Sequence, residues 1–212
     1  MKLILVRHGH VPGIDPPRFR GQHEVPLTDC GRRQAERTGA AIAARWSVDA
    51  IYTSPLGRCI ETGAAIAAAT GAASAVLPDL ANFDYGEWSW LTHNEVRAQM
   101  PGLYELWFTQ PWRVAIPGGD SLQSLALRAA DALRAMAADH PAGTVVAVAH
   151  DTINRAILLQ CLGMPLDGYW RIDQAPCGIS EIDLGPQVRV RSINSTAHLD
   201  STDGAAVGPE TR

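Results

Sequence analysis

The 212-residue chain is 46% hydrophobic and 19% charged, with a formal net charge of −4. This composition excludes a disordered body and suffices for one domain with a substantial core, while the negative balance excludes a general nucleic-acid or membrane-surface binder, so any anion must be held by locally placed arginines. The apolar run at residues 3–6 is too short for a signal peptide, no later run approaches membrane-spanning length, and Cys30, Cys59, Cys161 and Cys177 lack paired-ligand spacing; a cytoplasmic protein with free thiols and no zinc site is expected.

In chain order, residues 3–6 form an unbroken apolar run rich in β-formers, which predicts a strand buried on both faces. It stops at Arg7-His8-Gly9. In an open α/β sheet that is where ligands bind, just beyond the carboxyl ends of strands. Residues 10–25, with Pro12, Pro16, Pro17 and two glycines, predict a long loop over those ends, and its Arg18 and Arg20 can reach the same anion. A helix over about 32–46 follows, with Ala35, Gly39, Ile42 and Trp46 on one face and Thr28 or Asp29 as its cap. Residues 49–58 read as a short strand, a Ser54-Pro55 turn and Arg58 on the first turn of an alanine-rich helix that turns Ile60, Ala64 and Ala67 or Ala68 to the core. A third short strand is expected at 75–77.

The segment 78–117 differs in composition, holding Trp88, Trp90, Trp107, Trp112, Tyr85, Tyr104, Phe83 and Phe108 without a long apolar strand, and reads as an inserted cap of short helices over the sheet edge. Its tryptophans serve as core of the cap or line a substrate cleft. From Ser121, the spacing of Leu122, Leu125, Ala129, Leu133 and Met136 predicts a long amphipathic helix. Residues 144–149 repeat the pattern of the first strand and end at His150-Asp151, before another helix. Residues 178–184 and 188–193, joined by Gly-Pro, predict a hairpin at the sheet edge. Residues 1–200 are thus expected to make a single domain, α/β in class: three layers, a mostly parallel sheet flanked by helices, an antiparallel edge strand and the cap. A disordered tail is expected over 201–212.

Three strand ends deliver His8 with Arg7, Arg58, and His150. That set suits phosphoryl transfer, because guanidinium forks bind phosphoryl oxygens in a bidentate way. A neutral imidazole can attack phosphorus and divide one hard displacement into two. Adjacent arginines favour the neutral ring. His8 and His10 could be read as a metal pair, but no third ligand is evident.

The chain resembles the histidine phosphatase superfamily, also called the phosphoglycerate mutase-like family, in its small phosphatase branch. The motifs are Arg7-His8-Gly9, Phe19-Arg20-Gly21-Gln22 with the block at 26–35, the block from Ser54 to Thr62 that contains Arg58, the loop Pro117-Gly118-Gly119-Asp120-Ser121, Ala149-His150 and residues 191–199. The resemblance spans residues 2 to about 199. It implies that His8 is the nucleophile that becomes phosphorylated, that Arg7, Arg58 and His150 grip the phosphoryl oxygens, that His150 stabilises transition-state charge, and that no metal or other cofactor is needed. Arg20 is added to the phosphate ligands, and the partner is a small phosphorylated substrate; the oligomeric state is left open.

Two departures concern the proton donor. The family's acid, four residues before the glycine of Gly-x-Trp, is here Asn82, which cannot serve as a general acid. Asp84, two residues on, is one substitute. Asp151 is another and is put ahead of it, since the acid-phosphatase and phytase branch uses an aspartate directly after the second histidine; a local cap is the alternative role for either. Ile14 also stands where many members carry a polar phosphate ligand. Phosphomonoester hydrolysis through phosphohistidine is the expected function, with a phosphoglycerate-type mutase or a catalytically weak phosphate-binding module as rivals.

Overall fold

The computed structural model describes residues 1–13 and 17–199. Ile14 and the expected disordered tail at 201–212 lie outside the described residues. The strands are β1 (Lys2–Arg7), β2 (Ala50–Thr53), β3 (Ser74–Val76), β4 (Thr144–Ala149), β5 (Ile179–Leu184) and β6 (Val188–Ser195). They form one sheet in the order β3-β2-β4-β1-β5-β6. The first four are mutually parallel; β5 runs antiparallel to β1, and β6 antiparallel to β5. The α/β class, the mostly parallel sheet and the antiparallel edge are therefore as the sequence predicts.

The α-helices are α1 (Asp29–Arg45), α2 (Gly57–Thr70), α3 (His93–Gln99), α4 (Pro101–Thr109), α5 (Leu122–Asp139) and α6 (Asp151–Leu162). The two-residue period of the strands explains the layering. Ile4, Val6, Val146 and Val148 pack with Ile42 of α1 and Cys59 and Ile66 of α2. Leu3, Leu5, Val145 and Ala147 face the other way, onto Leu125, Ala129 and Met136 of α5 and Ile153 and Ile157 of α6. Both faces being covered, β1 and β4 need apolar residues throughout, which is why their runs do not alternate.

Thr28 is the cap of α1, its side chain accepting from Gly31 N, and Asp29 begins the helix. The predicted inner face of α2 requires correction. Ile60 is 43% exposed and Ala64 is exposed, whereas Arg58, Cys59, Thr62, Gly63 and Ile66 are buried. Arg58 turned fully inward sets the phase of the helix, and each residue of offset rotates a side chain by about 100°. Gly63 then lies against β2, where a Cβ would come within 2.4 Å of Thr53 Cγ2.

In the segment 78–117, three short 3-10 turns accompany α3 and α4. Leu80, Phe83, Trp88 and Trp107, all fully buried, join the cluster formed by α5, α6 and the sheet. Truncating a buried tryptophan to alanine costs about 3–5 kcal/mol, so this aromatic group is part of what holds the α5 and α6 side together.

Candidate active site

β1 and β4 pair in parallel with Arg7 opposite Ala149, so the residues that follow emerge side by side. The rings of His8 and His150 meet edge to face with centroids 5.2 Å apart. The end of β2 joins them through Ser54, whose N–H donates to Val148 O at 3.0 Å. Gly9 is required by close approach: a Cβ there would lie 2.5 Å from Gly31 O, and one on Gly31 would lie 2.2 Å from His10 O. The turn after β1 is thereby pressed against the start of α1. Gly9 N donates to Thr62 Oγ1 at 3.1 Å, which ties the same turn to α2.

His8 is buried, and its Nδ1 lies 2.7 Å from Gly9 O. A carbonyl only accepts, so Nδ1 carries the proton and Nε2 keeps its lone pair. Burial pushes the ring's pKa well below 6.5, and Arg58, His150 and Arg7 push it the same way. The ring is neutral at pH 7. His150 is also neutral for the same leading reason, burial, reinforced by Arg58 and opposed by Asp151. Its Nε2 contacts Ser54 Oγ at 2.8 Å and Cys59 Sγ at 3.4 Å.

Three guanidinium groups converge here. Arg58, fully buried, donates to His23 O and Gly21 O, both at 2.8 Å, while its buried Nε has no hydrogen-bond partner among the described residues. Arg7 is buried and donates to Gln174 O. Arg20 donates to Gly13 O at 2.5 Å, and its charge acts on His10, His150, Arg58 and Asp151. Burying cations costs several kcal/mol per ion unless opposite charge compensates. A cluster of arginines around two neutral imidazoles is explained by an anion that binds among them.

The two proposed acids part company. Asp84 Oδ1 accepts from Gly86 N at 2.9 Å, and Asp84 exchanges hydrogen bonds with Asp120, whose Oδ2 accepts from Asp84 N at 3.0 Å and whose N donates to Asp84 O at 2.8 Å. Its carboxylate closes the turn before Trp88, the local role. Asp151 instead opens α6 beside His150, its side chain 14% exposed, with Oδ2 3.1 Å from Arg155 Nη1. It is not the helix cap, a position held by His150. Burial pushes its pKa up, but Arg7, Arg155, Arg20 and His150 outweigh that and hold it well below the ordinary carboxylate value. Asn82 bridges the two regions: Nδ2 donates to Gly21 O at 2.8 Å, and Oδ1 accepts from Thr152 Oγ1 at 2.6 Å and Phe83 N at 2.9 Å. The family's usual acid position thus touches the residue next to Asp151.

The structure therefore brings Arg7, His8, Arg20, Arg58, His150 and Asp151 to one place and leaves Asp84 in its own turn. Sequence reasoning misses Ser54 as a partner of His150 and Thr62 as a partner of Gly9, although both lie inside the motif from Ser54 to Thr62. Gln174 and Arg155 carry no local signal. Among the tryptophans, Trp88 and Trp107 are core, Trp112 is 46% exposed, and Trp90 stacks on His23 at 5.0 Å beside the loop that holds Arg20. Burial pushes the thiols of Cys59 and Cys177 up to about 12, so neither is a thiolate nucleophile. Among the described residues no group of three or more His, Cys, Asp or Glu is arranged to hold a metal ion, and no helix is long and apolar enough to cross a membrane.

A family model of the histidine phosphatase superfamily, branch 1, matches residues 3–196. The chain belongs to this superfamily. Phosphoserine phosphatase 1 of Hydrogenobacter thermophilus is 30% identical over 201 residues, covering 94% of each chain. Glucosyl-3-phosphoglycerate phosphatase of Mycolicibacterium vanbaalenii is 30% identical over 178 residues, covering 79% of this chain and 77% of that one. Among solved structures, Bacillus stearothermophilus YhfR superposes with a TM-score of 0.88 at 25% identity, over 94% of this chain and 99% of that one. The chain spans only 55% of the length of some mycobacterial relatives that it also matches. Family and phosphatase relatives together give the class of this enzyme: a phosphoric monoester hydrolase.

Proposed function

We propose that the protein hydrolyses small phosphomonoesters through a phosphohistidine formed on Nε2 of His8. The observation that carries this reading is the free lone pair on Nε2 of a buried neutral ring, fixed by the bond from Nδ1 to Gly9 O and set beside Arg7 and Arg58. A phosphoryl dianion entering this cluster is held by the guanidinium forks, with the unused Nε of Arg58 one available donor. Nε2 attacks phosphorus, the P–O bond to the leaving group breaks, and its electron pair takes the proton that Asp151 gains from solvent as the dianion binds. Water then attacks the phosphohistidine, Asp151 takes its proton, and the P–N bond breaks to release inorganic phosphate and neutral His8. His150 and the arginines stabilise the charge that spreads over the equatorial oxygens in both steps.

Asp151 is assigned the donor because Asn82 cannot fill that role and Asp84 is used by its turn. The low pKa of Asp151 is no obstacle. Arg7 and Arg20, two of the groups that depress it, are the ones a bound dianion neutralises, and the dianion itself repels the carboxylate; both effects raise the pKa when substrate is present. The names of the relatives suggest alkyl phosphates of small organic acids, phosphoserine and glucosyl-3-phosphoglycerate among them. Residues 78–117 are assigned to the same domain as its cap, which Trp90 supports by packing beside the Arg20 loop. The absence of paired cysteines among Cys30, Cys59, Cys161 and Cys177 supports a cytoplasmic setting.

The test is to compare wild type and His8→Ala on p-nitrophenyl phosphate and on an alkyl phosphate, with acid-labile label trapped from a 32P substrate. Wild type is expected to release phosphate from both and to trap label, and the mutant to do neither. Equal turnover by the two proteins would overturn the mechanism. Label retained in an isomeric product would instead indicate a mutase.

A further inference from the structure

Arg155 is a buried arginine on α6 whose contacts exceed what a structural ion pair needs. Nε donates to Ile172 O at 2.7 Å, and Nη1 to Asp151 Oδ2 at 3.1 Å. The guanidinium group also lies over Tyr169 and Trp170, 5.5 and 5.1 Å from their ring centroids. Trp170 is itself anchored, donating from Nε1 to Trp107 O at 2.6 Å and stacking on Phe108. The side chain has therefore lost its rotational freedom, and a planar donor so fixed imposes direction on its acceptor. The segment that supplies Ile172 O also supplies Gln174 O to Arg7. One short stretch, 172–174, thus sets the position of a phosphate-binding arginine on one side and of the partner of Asp151 on the other.

We propose that Arg155 is a positioning residue for the proton donor: it fixes the direction of the Asp151 carboxyl group and keeps it ionised until a phosphoryl dianion binds. This rests on the assignment of Asp151 as donor. The charged and titratable groups acting on or paired with Asp151 are Arg7 from β1, Arg20 from the loop after it, Arg58 from α2, the neutral ring of His150 from the end of β4, and Arg155 from its own helix. Arg7, Arg20 and Arg58 belong to the phosphate cluster and lose their hold on the carboxylate when the dianion arrives. Arg155 does not, because its guanidinium is spent on Asp151, Ile172 and the aromatic shelf. It stays with the carboxyl group through the cycle, opposing protonation before the first step and favouring the carboxylate that the first step leaves behind. The carboxylate is the form needed to take a proton from water in the second step.

The experiment measures kcat against pH for Arg155→Gln, Arg155→Lys, Asp151→Asn and the Arg155→Gln/Asp151→Asn double variant, on an alkyl phosphate and on p-nitrophenyl phosphate. Losing the cation lets Asp151 stay protonated to higher pH, so Arg155→Gln should move the alkaline limb for the alkyl ester upward by about one pH unit or more. The aryl ester, whose leaving group needs little protonation, should show no such shift, and in the Asp151→Asn background the substitution should add nothing. Arg155→Lys keeps the charge but cannot serve Ile172 and Asp151 together, so its limb should stay in place while the rate of phosphohistidine formation falls several-fold with the alkyl ester and holds with the aryl ester. If Arg155→Gln leaves the limb unmoved while Asp151→Asn abolishes alkyl turnover, the role given to Arg155 is wrong and that of Asp151 stands. If Asp151→Asn keeps alkyl turnover, the donor assignment fails and this inference with it. Should Arg155→Gln not fold, an Arg155→Lys variant that slows phosphohistidine formation equally from both esters would show mere structural support and overturn the proposal.

Discussion

β1 and β4 are neighbours, parallel and in register, and each ends in a buried histidine, yet the two rings are held in opposite ways. At the end of β1, Nδ1 of His8 is tied to the carbonyl of the next residue and Nε2 is left with its lone pair. At the end of β4, Nε2 of His150 is the tied nitrogen, held by Ser54 Oγ with the thiol of Cys59 close by. Both rings are neutral because both are buried among arginines, so charge does not distinguish them. The hydrogen bond does: which nitrogen the surroundings occupy is the basis on which His8 is proposed as nucleophile and His150 as phosphate ligand.

The comparison breaks most sharply if the two histidines are exchanged in importance. His8→Ala removes the only group assigned to form a bond to phosphorus, and phosphate release should fall by at least about 10⁴-fold on aryl and alkyl esters alike. His150→Ala removes charge stabilisation while leaving the nucleophile, and about 10²–10³-fold should be lost on both, with label still trapped on His8 after acid quench. Trapped label in His8→Ala but not in His150→Ala would reverse the roles. The residue after each histidine differs in kind as well. Asp151→Asn should cost about 10²–10⁴-fold on an alkyl ester and far less on p-nitrophenyl phosphate. An equal loss on both would remove Asp151 from protonation of the leaving group and leave it the base of the second step or a structural carboxylate.

Ser54→Ala tests the contact that sets His150 apart. It leaves a buried ring nitrogen with only the weak thiol contact of Cys59, which costs up to about 1–3 kcal/mol of stability, and it frees the ring to turn. A loss of about tenfold in kcat with little change in KM is expected. A change confined to KM would mean that Ser54 shapes substrate binding and not the orientation of His150.

Much of this pair is legible in the amino-acid sequence. An apolar run that ends abruptly in a charged or imidazole residue marks a strand end, and β1 and β4 both carry that mark. The edge hairpin and α5 follow from their periods. The phase of α2 is not legible, because hydrophobicity puts Ile60 inside, whereas the buried arginine that governs the helix reads as a surface residue until an anion site is known. The proton donor is legible only as a pair of candidates. Choosing between Asp84 and Asp151 needs the turn made by Gly86 and Asp120, contacts up to 36 residues apart in the chain. The role of Arg155 has no signature in the sequence, since its meaning lies in a backbone carbonyl at Ile172 and two rings that no local pattern connects to it.

The smallest expected effect concerns stability, and it treats the two histidines as equals. Each has a pKa in the folded protein well below the ordinary 6.5, so the unfolded chain binds more protons as the pH falls below that value. Their depressed pKa values thus add no penalty above about pH 6.5, and stability is lost progressively as the pH drops beneath it. The lowered pKa of Asp151 works in the same direction but only below the ordinary carboxylate value of 3.8, which separates the two contributions on the pH axis. Tm measured without phosphate should therefore decline between pH 6.5 and 5, and the decline should be shallower in His8→Asn and in His150→Asn, by comparable amounts. Because phosphate binds the folded cluster, saturating phosphate should raise Tm in wild type at every pH in this range. A slope that is unchanged in His8→Asn would mean that His8 is protonated in the folded protein near pH 6, and a protonated ring has no lone pair with which to attack phosphorus.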